Sequence, residues 1–248
     1  MNQPTIAPKF GLSRPDADTI RRSRRRYQQI ADELADSIRA EGMRTGDRLP
    51  AERDLASRFD VSRQTVREAL VALEVAGIVE IRLGSGIYVG STGLTDSQPS
   101  YEDEPGPLEI LEAREVFEGE AAALAAERIG NEELQQLRSR LRLMIRAAEA
   151  GDTGEAEAHD HRFHLAVAEA SRNSAIISTI DRLWQLRSKS EISRSFHERA
   201  RKQGSKPNIA DHERILQALV RRDPEAARDA MRQHIGRVYD EFSRFSFT

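Results

Sequence analysis

Cysteine is absent from the 248-residue chain, which excludes a disulfide framework and any thiolate metal site and fits a reducing compartment. Aromatic residues make up only 5%, with a single tryptophan, whereas charged residues reach 32%, a balance that suits a mostly helical protein in water. No apolar run approaches the roughly 18 residues of a membrane span, and the polar N-terminus has no signal-peptide core. A cytoplasmic protein without membrane contact is the expectation.

What is present is unevenly placed. A net charge of −3 argues by itself against a nucleic-acid partner, yet residues 1–92 hold 15 Lys and Arg against 13 Asp and Glu, leaving 23 against 28 for the rest. A basic front and an acidic back match a DNA-facing region followed by one that faces something else. The run Arg21, Arg22, Arg24, Arg25, Arg26 is either a set of added phosphate contacts or a solvated tail. The expected organisation is a flexible basic arm over 1–23, a DNA-binding domain over 24–90, a linker over 91–106 and an all-helical domain over 107–248. The linker is poor in apolar periodicity and rich in turn formers. Beyond it, helical periods run near 108–129, 131–150, 153–171, 174–203 with a possible break, 208–221 and 224–243. No strand-period run interrupts them, so the fold class is mainly α: a winged helix-turn-helix, then an antiparallel helical bundle.

Residues 49–89 carry the first motif. Ser62 is an N-cap between Val61 and Val66, which are placed as a hydrophobic staple. Val66, Ala69, Leu70 and Leu73 bury one stripe, leaving Arg63, Gln64, Thr65 and Arg67 to project near the helix start. In a helix-turn-helix that end reaches base edges, where arginine suits guanine and glutamine suits adenine. The preceding helix turns Leu55, Ala56 and Phe59 inward and offers Arg53 and Arg58 to phosphates. Ala76-Gly77 stops the recognition helix, Val79 to Arg82 alternates as a half-buried strand, and Gly84-Ser85-Gly86 turns into Ile87-Tyr88-Val89. The product is a wing with Arg82 and Gly84 near its tip.

Polar residues on buried stripes carry the second motif. At about 100° per residue, Asp160 and His164 share a flank of the stripe formed by Phe163, Val167 and Ala170, while His161 points away. His212 is in register with Ile209, Leu216 and Leu219, and His234 with Met231 and Val238. Three imidazoles and a carboxylate in one core are either hydrogen-bonded core residues or the ligands of a divalent cation. Arg114 stands at i+4 from Ile110 and i−3 from Phe117, on a stripe continued by Ala121 and Leu124, so its guanidinium faces inward. A buried guanidinium needs a planar anion, supplied by a protein carboxylate or by a ligand. Asn173, Arg187 and Trp184 are weaker pocket candidates, Trp184 reading rather as core.

The segments Gly46 to Arg53, Val61-Ser62-Arg63, Val66 to Leu70 and Gly84-Ser85-Gly86 resemble the GntR family of bacterial transcription regulators. That resemblance implies DNA contacts from Arg53, Ser62, Arg63, Gln64, Thr65, Arg67 and the wing around Leu83 and Gly84. The second half is similar to the FCD ligand-binding domain, whose metal-binding members present an Asp-x-x-x-His and two later histidines where Asp160, His164, His212 and His234 stand. It implies zinc, with nickel or manganese as other candidates, and an organic-acid effector held by Arg114. Tyr27-Gln28-Gln29, Gly106 to Glu109, Gln185 to Ser188 and Asp211 to Leu216 are similar to segments of hexuronate-utilisation repressors, which implies a sugar acid such as glucuronate or galacturonate. The resulting expectation is a repressor that binds a palindromic operator in double-stranded DNA as a homodimer and is released by a small carboxylate. A regulator that senses the metal itself, and a metal-dependent hydrolase with Glu213 as general base, are the rivals.

Overall fold

The computed structural model describes residues 26–82, 84–91, 105–202 and 207–244. The basic run before Arg26, Leu83 at the wing and most of the expected linker lie outside the described residues. Helices α1 (Arg26–Ala40), α2 (Glu52–Phe59) and α3 (Arg63–Val75) precede a hairpin of β1 (Val79–Arg82) and β2 (Gly86–Val89).

Helix α1 buries Tyr27, Ile30, Ala31, Leu34, Ala35 and Ile38, the spacing of a single helical face. Helix α3 starts as read, with Ser62 Oγ accepting from Thr65 N at 3.1 Å. It stops at Gly77, whose φ of 71° lets Ile78 N donate back to Leu73 O at 2.8 Å, closing the last turn. The strands are antiparallel, with Val79 opposite Val89 and Arg82 opposite Gly86. Leu49 N donates to Ile87 O and Val89 N to Asp47 O, so the segment entering α2 lies along the other edge of the wing.

Among the described residues seven helices follow: α4 (Pro107–Arg128), α5 (Asn131–Glu149), α6 (Thr153–Ala170), α7 (Ser174–Lys189), α8 (Glu191–Lys202), α9 (Ile209–Arg221) and α10 (Pro224–Arg244). The anticipated break in the 174–203 helix falls at Ser190. Helix α4 is central and packs on α6, α7, α9 and, most extensively, α10. Its small residues allow this approach: a Cβ at Gly119 would meet Arg232 Cγ at 2.8 Å. Phe117 departs from the expected stripe. It is 39% exposed beside Val116 at 55%, on the outer edge of α4, while Arg114 faces inward. One apolar cluster runs through both halves, joining Tyr27, Val66 and Leu70 to Leu108, Leu111, Ile192 and Phe196.

Candidate metal centre and DNA-reading face

Asp160 and His164 come from α6, His212 from α9 and His234 from α10. All four are buried, and one ligand atom from each lies within 4.8 Å of every other. The imidazole orientations explain the convergence. His164 Nδ1 is hydrogen-bonded to Glu118 Oε2, His212 Nδ1 to the Asn208 carbonyl at 2.8 Å, and His234 Nδ1 to Asp211 Oδ2 at 3.4 Å. With each Nδ1 engaged by an acceptor, each Nε2 is left for the cluster. Such outer partners fix the ring and tautomer of metal-binding histidines. Nε2 of His164 and of His212 has no directed hydrogen bond, although Asp160 Oδ1 is 3.6 and 2.8 Å away, respectively. Buried unsatisfied nitrogens facing a carboxylate are what a cation would satisfy.

Burial opposes charge at these groups, and neighbours decide the outcome. Burial favours neutral Glu118, but Arg114 and His164 outweigh it and bring its pKa down to about 2. Burial likewise disfavours a cationic His164, yet Glu118 and Asp160 raise it to about 9. Asp160 is held well below its ordinary range despite burial, through His164 and His212. His234 goes the other way: burial wins and lowers it to about 4.

A cleft of ≈ 720 Å³, counted with its open mouth, adjoins the cluster and is lined by Asp160 and His234 together with Arg114, Arg187, His197 and Arg237. Arg114 donates from Nε to Glu118 Oε1 at 2.6 Å and stacks over Trp184 at 3.9 Å. The protein carboxylate and the cleft are therefore neighbours of the same guanidinium. Arg187 lies over Trp184 at 4.8 Å and donates to His197 Nε2 at 3.2 Å. Trp184 is buried, donates to Glu118 Oε1 and stacks on His161 at 4.4 Å, which accounts for His161 lying off the cluster. Asn173 stands apart from this cleft. Its Oδ1 caps α7 by accepting from Ala175 N and Ile176 N, and it does not line the cleft; the Asn173-Ser174 pair before an apolar run is itself a readable N-cap signal. Glu118, Asn208, Asp211, His197 and Arg237 were missed. Only Glu118 had a local signal, its i+4 spacing from Arg114.

On the reading face, Arg53 is 81% exposed along its side chain, Ser62 and Gly84 are exposed, and Gln64 and Thr65 are half-buried at the start of α3. Arg63 is 53% exposed and bonded through Nε to Glu52 Oε1 at 2.9 Å. Arg67 does not project as expected. It is 3% exposed and donates to Glu52 Oε2 at 2.8 Å, because a second helix brings a buried carboxylate across it. In this position it braces the start of α3 against α2.

The family description "Bacterial regulatory proteins, gntR family" matches residues 26–89, and "FCD domain" matches 109–237. The Uxu operon transcriptional regulator of Escherichia coli (strain K12) is 35% identical over 229 residues, 90% of this chain and 89% of that one. The chain belongs to the gntR family. The Exu regulon transcriptional regulator of the same organism is 36% identical over 221 residues, 87% of this chain and 84% of that one. As a gntR-family protein with an FCD domain, the chain is a DNA-binding transcription regulator and not an enzyme. The hydrolase reading falls with it, and Glu213 is exposed beside a fully buried His212, turned away from the cluster it would have to serve. Among the described residues no helix is long and apolar enough to cross a membrane.

Proposed function

We propose that this cytoplasmic regulator is a metal-loaded repressor of sugar-acid catabolism, released from its operator by a hexuronate or similar small carboxylate. The observation that carries the reading is the convergence of three outward-braced histidines and Asp160 next to a cleft entered by Arg114 and Arg187. Asp160, His164, His212 and His234 would hold the divalent ion, zinc in the first instance and nickel or manganese by the same donor set. The ion would supply a positive site for an effector oxygen, and Arg114 and Arg187 would take the carboxylate. The Uxu and Exu names of the relatives support a hexuronate among carboxylates.

The reading assigns 24–90 to DNA, with Arg53, Ser62, Arg63, Gln64, Thr65 and Gly84 at the duplex, and 107–248 to effector capture and dimerisation, joined by 91–106. A homodimer on a palindrome follows from the few bases one head can read, and exposed Val116 and Phe117 on α4 offer an apolar edge for the second copy. Cationic side chains in the cleft favour a carboxylate signal over the metal alone as the regulator. A thermal-shift screen of organic acids on metal-loaded protein tests this, because a ligand of the native state raises the melting temperature by mass action. A sugar acid should stabilise the wild type, and Arg114→Ala should lose that response. No response to any sugar acid, with operator binding that instead follows a chelator titration, sinks the reading in favour of a metal sensor.

A further inference from the structure

We propose that α4 and α10 hold the recognition helix in an autoinhibited position, in which Tyr239 occupies the carboxamide of Gln64 and duplex DNA must displace it. The Tyr239 hydroxyl donates to Gln64 Oε1 at 3.1 Å and stands 3.4 Å from Glu112 Oε1. A glutamine that reads adenine uses both its oxygen and its nitrogen; here the oxygen is already taken. The pocket at this point brings Ser62, Gln64 and Thr65 together with Arg26, Glu109, Glu112 and Tyr239. Glu109 and Glu112 beside the reading residues repel the phosphates of an approaching duplex, against the attraction of Arg26.

Two further contacts hold the same helix from behind. Glu68 accepts from Leu108 N at 3.0 Å, seating α3 on the N-terminus of α4, and a Cβ at Gly106 would lie 2.7 Å from Glu68 Oε1. Glu74 of α3 pairs with Arg199 of α8. The clamp is thus built by three helices of the C-terminal half. Helix α10 carries His234 and Arg237 at the cleft and Tyr239 at the clamp, a span of about 7.5 Å at 1.5 Å per residue. Helix α4 carries Leu108 and Glu112 at the clamp and Leu111 and Arg114 at the cleft. Any shift of these helices on filling the cleft changes the grip on Gln64, and by linkage a ligand that favours the clamped arrangement weakens DNA binding.

The proposal rests on α3 as the reading helix and is independent of the metal and of the effector's identity. It is tested with the full chain and a duplex that the wild type recovers from randomised DNA, titrated at fixed salt. Tyr239→Phe, which removes one hydrogen bond, should bind that duplex about two- to tenfold more tightly. Glu112→Gln, at an exposed side chain, should move affinity in the same direction and keeps the test open if the tyrosine variant folds poorly. In a Gln64→Ala background the gain from Tyr239→Phe should vanish. Wild-type or weaker binding by both folded single variants overturns the clamp, as does a gain that survives without Gln64. An Arg63→Ala chain that binds as tightly as wild type overturns it through its premise.

Discussion

Glu52 in the reading head and Glu118 in the bundle are each 1% exposed, and each lies between two cationic groups. Glu52 holds Arg63 and Arg67, and Glu118 holds Arg114 and His164. The far side of each pair differs. Arg63 keeps 53% of its side chain in water, so its carboxylate steers a permanent charge outward, where screening is strong. His164 is fully enclosed, and its second nitrogen looks into the ligand cluster. One arrangement orients an arginine at the surface, and the other fixes a ring inside a closed cluster. The same residue type holds an exposed cation or an enclosed one according to how much solvent its partner retains.

The largest expected effect comes from Glu118→Ala. Arg114 would be left as a buried charge without its counter-ion, and breaking such a pair costs about 3–5 kcal/mol, measured by urea denaturation. His164 would lose the acceptor that fixes its ring, which typically lowers metal affinity about 10–100-fold, measured by calorimetry. Glu52→Ala should leave metal affinity unchanged, and an equal loss from the two variants would erase the distinction between the two carboxylates.

Glu68 sharpens the contrast, being a buried carboxylate that forms no ion pair with a cation among the described residues. Burial first, then Glu109 and Glu112, raise its pKa to about 8 against the lowering effect of Leu108 N. The folded chain therefore binds more protons than the unfolded one between about pH 4.5 and 8, and stability falls as pH rises through that window. Glu68→Gln removes the titrating group. It should melt level with wild type near pH 4 and higher at pH 8, with a gain of up to about 3 kcal/mol at pH 7. Parallel melting curves across this range would show that Glu68 carries its charge without penalty.

Much of the molecule was legible because its signals are local. Ser62 announces α3, Gly77 ends it, and the phase of Asp160 and His164 within one helix put both on a common flank; His212 and His234 were placed by phase on stripes of their own. Illegible parts depend on partners from other helices. Nothing near Arg67 in sequence reveals that Glu52 crosses over it, and nothing near His164 reveals Glu118, 46 residues away. Tyr239 and Gln64 are 175 residues apart, so periodicity could not join them. Asn173 has a local role that its position before an apolar run does signal: its oxygen accepts from Ala175 N and Ile176 N.

The smallest effect separates two arginines of the head itself. Arg53 is 81% exposed and pairs only with its neighbour Asp54 among the described residues, whereas Arg63 is steered by Glu52 at the start of α3. Arg53→Ala should weaken binding about equally for all duplexes and reduce the slope of log affinity against log salt by about 1. Arg63→Ala should cost about 1–3 kcal/mol and relax preference at one base position, with other positions unchanged. A competition assay with single-base operator variants at two salt concentrations separates the two outcomes. If Arg63→Ala lowers all duplexes alike and changes only the salt slope, Glu52 steers a phosphate contact, and the head reads sequence through Gln64 and Thr65 instead.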